Sequence, residues 1–266
     1  MNDSVYSLFD RSDAGSAYYF FHIPKTAGSS LTALVQKQFA DSEVCPVHLW
    51  DDLLALDREQ LQGFRLYRGH FYAMLDKVVR KPLRGFVFLR DPIERALSHY
   101  SHVMVEPDHY LHRRAHQLGT VEAYLLDPVT RETVRNFQAK SLVAQFDPLA
   151  PRQTPSVAGV HAVQKAIELA TIDLSDEELS NRAQQALRHF SCIGLTERFE
   201  ESVRLLNRTF GWTLRANAER INVNGERRRL DVLTGTERAL LESLNSVDQQ
   251  LYSYACNLFD EMLARA

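Results

Sequence analysis

The stretch from Tyr18 to Phe39 constrains the fold of this chain more than any other. Tyr18-Tyr19-Phe20-Phe21-His22-Ile23 is aromatic and β-branched and is stopped by Pro24, the pattern of a short buried strand. A loop containing Gly28 follows, and then Leu31, Leu34, Val35 and Phe39 recur at helical spacing. A strand, a Gly-containing loop and a helix in that order form an α/β unit whose loop faces the unpaired N–H groups of a helix N-terminus.

Similar units follow. A helix is expected over Asp51–Leu61, a strand over Phe64–Arg68 ending in Gly69-His70, and a helix to about Arg80. A third strand, Gly85–Leu89, ends at Arg90-Asp91-Pro92, where Asp91 suits an N-cap and Pro92 the first helical turn. The helix it opens runs to about Val105, helical segments follow at Val121–Leu126 and Thr133–Phe146, and the proline-bearing Asp147–Ser156 reads as a loop or lid. Ser175 and Glu178 are spaced as a capping box for a helix ending near Phe190, and Cys192–Leu195 reads as a strand. Phe199, Val203, Leu206 and Phe210 make a helical stripe stopped by Gly211, Arg215–Arg229 reads as a polar loop, and the chain from Thr236 onward is helical. Strands alternating with helices predict a parallel sheet flanked by helices on both faces. A length of 266 residues suits one such domain, read here as 18–266 after a polar segment at 1–17.

Composition excludes several classes of function. The net charge of -3 argues against a protein held on nucleic acid by bulk electrostatics, so any anion site is local. Basic clusters occur at Lys77–Arg84, His112–Arg114 and Arg227–Arg229, although such runs are more often solvated faces. Cys45, Cys192 and Cys256 are too few and too scattered for a disulfide framework, and no metal-ligand spacing is present. Met1–Ala17 lacks the apolar run of a signal peptide, and no stretch reaches the roughly 18 apolar residues of a membrane span. A soluble, cytoplasmic protein is the expectation.

Two segments carry the chemistry. Pro24-Lys25-Thr26-Ala27-Gly28-Ser29-Ser30 offers what a phosphate needs: a glycine for close approach, successive N–H groups, hydroxyls and a lysine. It is not a Walker A loop, in which the lysine directly follows the second glycine, because Lys25 precedes Gly28. In Arg90-Asp91-Pro92-Ile93-Glu94-Arg95-Ala96-Leu97-Ser98, Arg90 ends a strand and can grip an anion with two hydrogen bonds, while Ser98 lies two turns into the helix. Arg95 shares that face, where an i, i+4 pair with Asp91 accounts for it. Ligands of parallel sheets bind at the carboxyl ends of strands, which draws His22–Ser30, Gly69-His70 and Arg90–Ser98 to one edge.

His22-Ile23-Pro24-Lys25-Thr26-Ala27-Gly28-Ser29-Ser30 resembles the 5′-phosphosulfate loop of sulfotransferases that use 3′-phosphoadenosine-5′-phosphosulfate (PAPS), and Arg90-Asp91-Pro92 with Arg95 and Ser98 is similar to their 3′-phosphate site. The likeness is to the carbohydrate O-sulfotransferase branch that includes heparan sulfate 2-O-sulfotransferase. Weaker similarity runs through Gly69-His70, Asn136-Phe137-Gln138, Gly194-Leu195-Thr196-Glu197, Asn222–Arg229 and Asp248-Gln249-Gln250-Leu251-Tyr252. The resemblance implies a P-loop-like fold in which Lys25 and its loop bind the phosphosulfate and Arg90 and Ser98 bind the 3′-phosphate. It also implies that one of Arg227, Arg228 and Arg229 closes over the nucleotide, which leaves as adenosine 3′,5′-bisphosphate.

Sulfuryl transfer needs in-line placement, a cation where negative charge develops, and a base for the acceptor hydroxyl. Lys25 suits the cation and His70 the base, with His22, weakened by neighbouring Lys25, as the rival. A P-loop-type kinase and a non-catalytic nucleotide-binding module are the competing readings. The acceptor is a small-molecule or glycan hydroxyl, with Trp50–Tyr72 and His109–His116 as candidate lining.

Overall fold

Four short apolar runs form the centre of the molecule: β1 (Ala17–Phe21), β2 (Leu66–Gly69), β3 (Leu83–Leu89) and β4 (Cys192–Leu195). They pair in the order β2-β1-β3-β4, and every pairing is parallel. The computed structural model describes residues 17–144, 173–216 and 233–265. Segment 1–16, the proline-bearing 147–156 and Arg227, Arg228 and Arg229 lie outside the described residues.

Parallel strands covered on both faces bury both sets of side chains, and every residue of β3 is buried. The chain passes from β1 to β2 on one side and returns to place β3 on the other, so the order reverses between β1 and β3. In open α/β sheets that reversal opens a crevice at the carboxyl ends of the two strands. Register fixes what borders it: Phe21 pairs with both Gly69 and Val87, so His22, His70 and Arg90 emerge at one edge.

The helices are α1 (Gly28–Val35), α2 (Trp50–Ala55), α3 (Arg58–Gly63), α4 (Leu75–Val79), α5 (Pro92–Val105) and α6 (His112–Leu118). After them come α7 (Val121–Leu126), α8 (Phe137–Val143), α9 (Asp176–Leu187), α10 (Phe199–Phe210), α11 (Gly235–Leu244) and α12 (Ser246–Arg265). One apolar core encloses the sheet, and a smaller one gathers Ile93, Leu97 and Tyr100 of α5 with Val121 and Tyr124 of α7 and Leu241 of α11. No helix among the described residues is long and apolar enough to cross a membrane.

Several boundaries differ from expectation for local reasons. The helix expected at Asp51–Leu61 is two, because Asp57 caps a new start by accepting the Gln60 N–H at 2.8 Å. The helix expected over Thr133–Phe146 begins only at Phe137, after Asn136 adopts a left-handed conformation. The C-terminal helix breaks at Asn245 into α11 and α12. Ser175 caps α9 through the Glu178 N–H, but the Glu178 carboxylate turns to Arg182 instead of closing a reciprocal box. α6 was not foreseen, since His112-Arg113-Arg114 reads as a charge run.

Some cations of two basic clusters have structural partners. Arg84 is buried in β3, donating to the Thr209 carbonyl beneath the Phe210 ring, and Lys81 bonds the Gln62 and Phe64 carbonyls. Arg114 forms a two-point bridge with Asp127. Trp50 is packed edge-on against Phe71 in the core, which removes it from the candidate lining of an acceptor pocket.

Candidate functional site

The loop after β1 is shaped by two residues in left-handed conformation, Lys25 (φ 73°) and Ala27 (φ 64°). Alternating hand along a short backbone turns successive N–H groups toward one concavity, the geometry that receives anions. The Thr26 side chain is fully buried and its hydroxyl donates to the Ile23 carbonyl at 2.9 Å, so it braces the loop from within. Ala27 caps α1 without a side-chain bond, Ser29 is exposed and Ser30 half-buried at the first turn.

Gly28 is required by contact with the strand behind it. A Cβ there would stand 1.7 Å from the His22 Nε2, so only glycine lets the His22 ring lie against the loop. That ring is sandwiched between Phe20, at 5.2 Å, and His70, at 4.5 Å. Its basicity is driven well below the ordinary imidazole value, first by burial and then by His70, His48, Lys25 and Arg68. The direction is the expected one, but burial leads and Lys25 is a minor cause.

His70 is oriented differently. Its Nδ1 lies 2.8 Å from the His22 carbonyl oxygen, which can only accept, so Nδ1 carries the proton and Nε2 keeps a lone pair. Its backbone N–H donates to the His48 carbonyl at 2.9 Å, and preceding Gly69 allows that approach, since a Cβ would meet the same oxygen at 2.6 Å. Burial lowers its pKa to about 4, partly offset by the bond to His22. It is therefore a neutral imidazole at pH 7 with an acceptor nitrogen available.

Across the crevice, Arg90 leaves the end of β3 with its side chain 12% exposed. Its Nη1 donates to the Lys25 carbonyl at 3.1 Å, which joins the two anion-type segments directly. Glu94 lies 3.4 Å from Nη2 and Glu197 3.9 Å from Nε. Gln138 clamps the Arg90 backbone, accepting its N–H at 3.0 Å and donating to its carbonyl at 2.9 Å. Glu197 also accepts the Asp91 N–H at 3.1 Å and is held by the Tyr252 hydroxyl at 2.6 Å. Ser98 lies half-buried on α5.

Gln138, Glu197 and Tyr252 were visible in sequence only as members of weakly similar segments; the structure brings all three segments to Arg90. Their anchoring is reciprocal. Asp248 accepts the N–H groups of Gln138 and Ala139 at the start of α8, while Asn136 accepts those of Val247 and Asp248 at the start of α12. Each helix caps the other. Arg95 departs from its expected pairing with Asp91, whose carboxylate instead accepts the Glu94 N–H. Arg95 is 0% exposed, donates to the Thr133 carbonyl at 2.5 Å and lies 4.6 Å over the Phe137 ring.

The sequence profile of the Sulfotransferase family matches residues 17–255, from the start of β1 to within α12. The chain belongs to the sulfotransferase family. Comparison with curated proteins gives no match. The matched span contains the loop, His70, Arg90 and all of their supports, so this sulfotransferase carries the loop after β1 and Arg90 after β3 at the point where the strand order reverses. Family membership makes it a transferase of sulfuryl groups.

Proposed function

We propose that the protein transfers a sulfuryl group from PAPS to the hydroxyl of a small-molecule or glycan acceptor. The observation that carries this reading is the contact of Arg90 with the Lys25 carbonyl, which fixes a guanidinium beside an anion-receiving loop at the β1/β3 crevice. Two linked anion sites suit a nucleotide with phosphate on both its 3′ and 5′ positions. In this reading the loop Lys25, Thr26, Ala27, Gly28, Ser29 and Ser30 holds the phosphosulfate, and Arg90 with Ser98 holds the 3′-phosphate. One of Arg227, Arg228 and Arg229 covers the nucleotide.

The chemistry follows from the residues. The acceptor oxygen attacks sulfur in line as the bond from sulfur to the phosphate oxygen breaks, and the acceptor proton passes to the His70 Nε2. Lys25 offsets the charge that develops on the leaving bisphosphate. The fixed tautomer of His70 favours it over His22, whose Nε2 faces Gly28. Calorimetry tests donor choice: adenosine 3′,5′-bisphosphate should bind far more tightly than ATP without Mg²⁺. Equal or stronger binding of Mg²⁺–ATP would instead support a kinase, and bisphosphate binding without sulfated product from any acceptor would support a binding module.

A further inference from the structure

The reading above gives the donor's two anionic groups to Lys25 with its loop and to Arg90 with Ser98. A third basic group, on α5 and the loop after it, has no part in that assignment. His99, His102 and His109 converge there, with ring centroids 5.7 Å apart for His99 and His109 and 5.6 Å for His102 and His109. His102 stands one helical turn beyond Ser98, so the cluster extends along α5 from the donor site.

These rings have hydrogen-bonding capacity that the protein leaves open. His99 is 8% exposed, yet neither of its ring nitrogens has a partner. His109 accepts the Leu111 N–H at Nδ1, 3.2 Å, which puts its proton on Nε2 as a donor. His112 and His116, by contrast, are engaged by the carbonyls of Val103 and Met104. Native interiors pair nearly all buried polar groups, so a buried imidazole with both nitrogens open has capacity to bind a ligand atom.

The surroundings define that ligand. Burial is the first cause that disfavours positive charge on all three rings, and after it Arg95, His109 and Lys25 act on His99, Lys25 on His102, and His102, Lys25 and His112 on His109; Glu106 is the carboxylate that opposes them at His102. Buried Arg95 also has Nε and Nη1 without a hydrogen bond, with the Asp248 carboxylate acting on its charge. A cation is repelled from such a site, and no group of His, Cys, Asp and Glu among the described residues is disposed to hold a metal. An anion that accepts several hydrogen bonds fits it.

We propose that His99, His102 and His109 form a subsite for an oxyanion on the acceptor, so that the hydroxyl to be sulfated belongs to an acidic molecule carrying a carboxylate, phosphate or sulfate. Lys25 acts electrostatically on His22 as well as on these three rings, of which His99 and His102 stand on α5, whereas His22 and His70 follow the ends of β1 and β2. The word acceptor rests on the sulfuryl-transfer reading; the anion site does not.

The test follows the histidine ring resonances of the full chain, saturated with adenosine 3′,5′-bisphosphate, during titration with acetate and with inorganic phosphate. Saturable shifts at His99, His102 and His109, with His189 as an unaffected reference, are expected, and H102Q and H109Q should each weaken phosphate at least about tenfold with bisphosphate affinity unchanged. Absent or unsaturable shifts overturn the proposal, as do shifts confined to His22 and His70 or release of the bisphosphate. Paired alcohols with and without a carboxylate then read the acceptor assignment. The acidic member should have at least about tenfold higher kcat/KM in the parent and lose that advantage in H102Q and H109Q, whereas equal turnover overturns it. Anion binding with no turnover of any alcohol would count against sulfuryl transfer and not against the anion site.

Discussion

His70 and His22 sit side by side at the ends of paired strands, and what separates them is what each ring nitrogen faces. The His22 carbonyl fixes the His70 tautomer, while the His22 ring is shut against Gly28. His70→Ala should therefore leave bisphosphate affinity nearly unchanged and lower kcat by about 10²–10⁴-fold, the usual contribution of a positioned base. With the His70 imidazole lowered to about 4, the acid limb of kcat/KM should lie well below the ordinary 6.5. A limb centred at 6.5 would contradict a desolvated neutral base. Arg90→Ala should weaken bisphosphate binding by about 2–4 kcal/mol, because a charge-assisted contact is lost and an anion is left underpaired. Calorimetry on a folded variant that binds as the parent does would remove Arg90 from the donor site. Both residues were legible in sequence as strand-end polar groups; the fixed tautomer was not, since it depends on a carbonyl 48 residues away.

At the scale of elements, α8 and α12 depend on each other. Asp248 satisfies two N–H groups of α8, and the Gln138 it holds keeps the Arg90 backbone in place. Asp248→Ala should destabilise the fold by about 2–4 kcal/mol in urea unfolding, since two buried donors lose a charged acceptor, and Asp248→Asn by less. Unchanged unfolding midpoints in both variants would show that the mutual capping contributes little. Sequence periodicity locates both helices but misplaces the start of α8, because Asn136 reads as an ordinary helical residue until the N–H groups of α12 require its side-chain amide oxygen. The split of Asp51–Leu61 has the same origin in a local cap, here Asp57, overriding a continuous apolar pattern.

For the molecule as a whole, His22, His70, His99, His102 and His109 all have their basicity lowered, with burial the leading cause. Between about pH 6.5 and about pH 4 the unfolded chain therefore binds more protons than the folded one, so stability rises with pH across that window. The protein should lose at least about 2 kcal/mol on going from about pH 7.5 to about pH 5, measured by urea unfolding at each pH. A flat profile would show that the rings protonate without cost in the folded state. The parallel sheet, the loop after the first strand and the placing of Arg90 at a strand end were set by sequence alone, because apolar periodicity, proline stops and helix-start chemistry act over a few neighbouring residues. The order β2-β1-β3-β4, the contact of Arg90 with the Lys25 carbonyl and the supports from Gln138, Glu197 and Tyr252 were decided only in the tertiary structure. They join residues up to 106 positions apart, and such pairings arise from burying both faces of the sheet and satisfying the polar groups this strands, which no local pattern encodes.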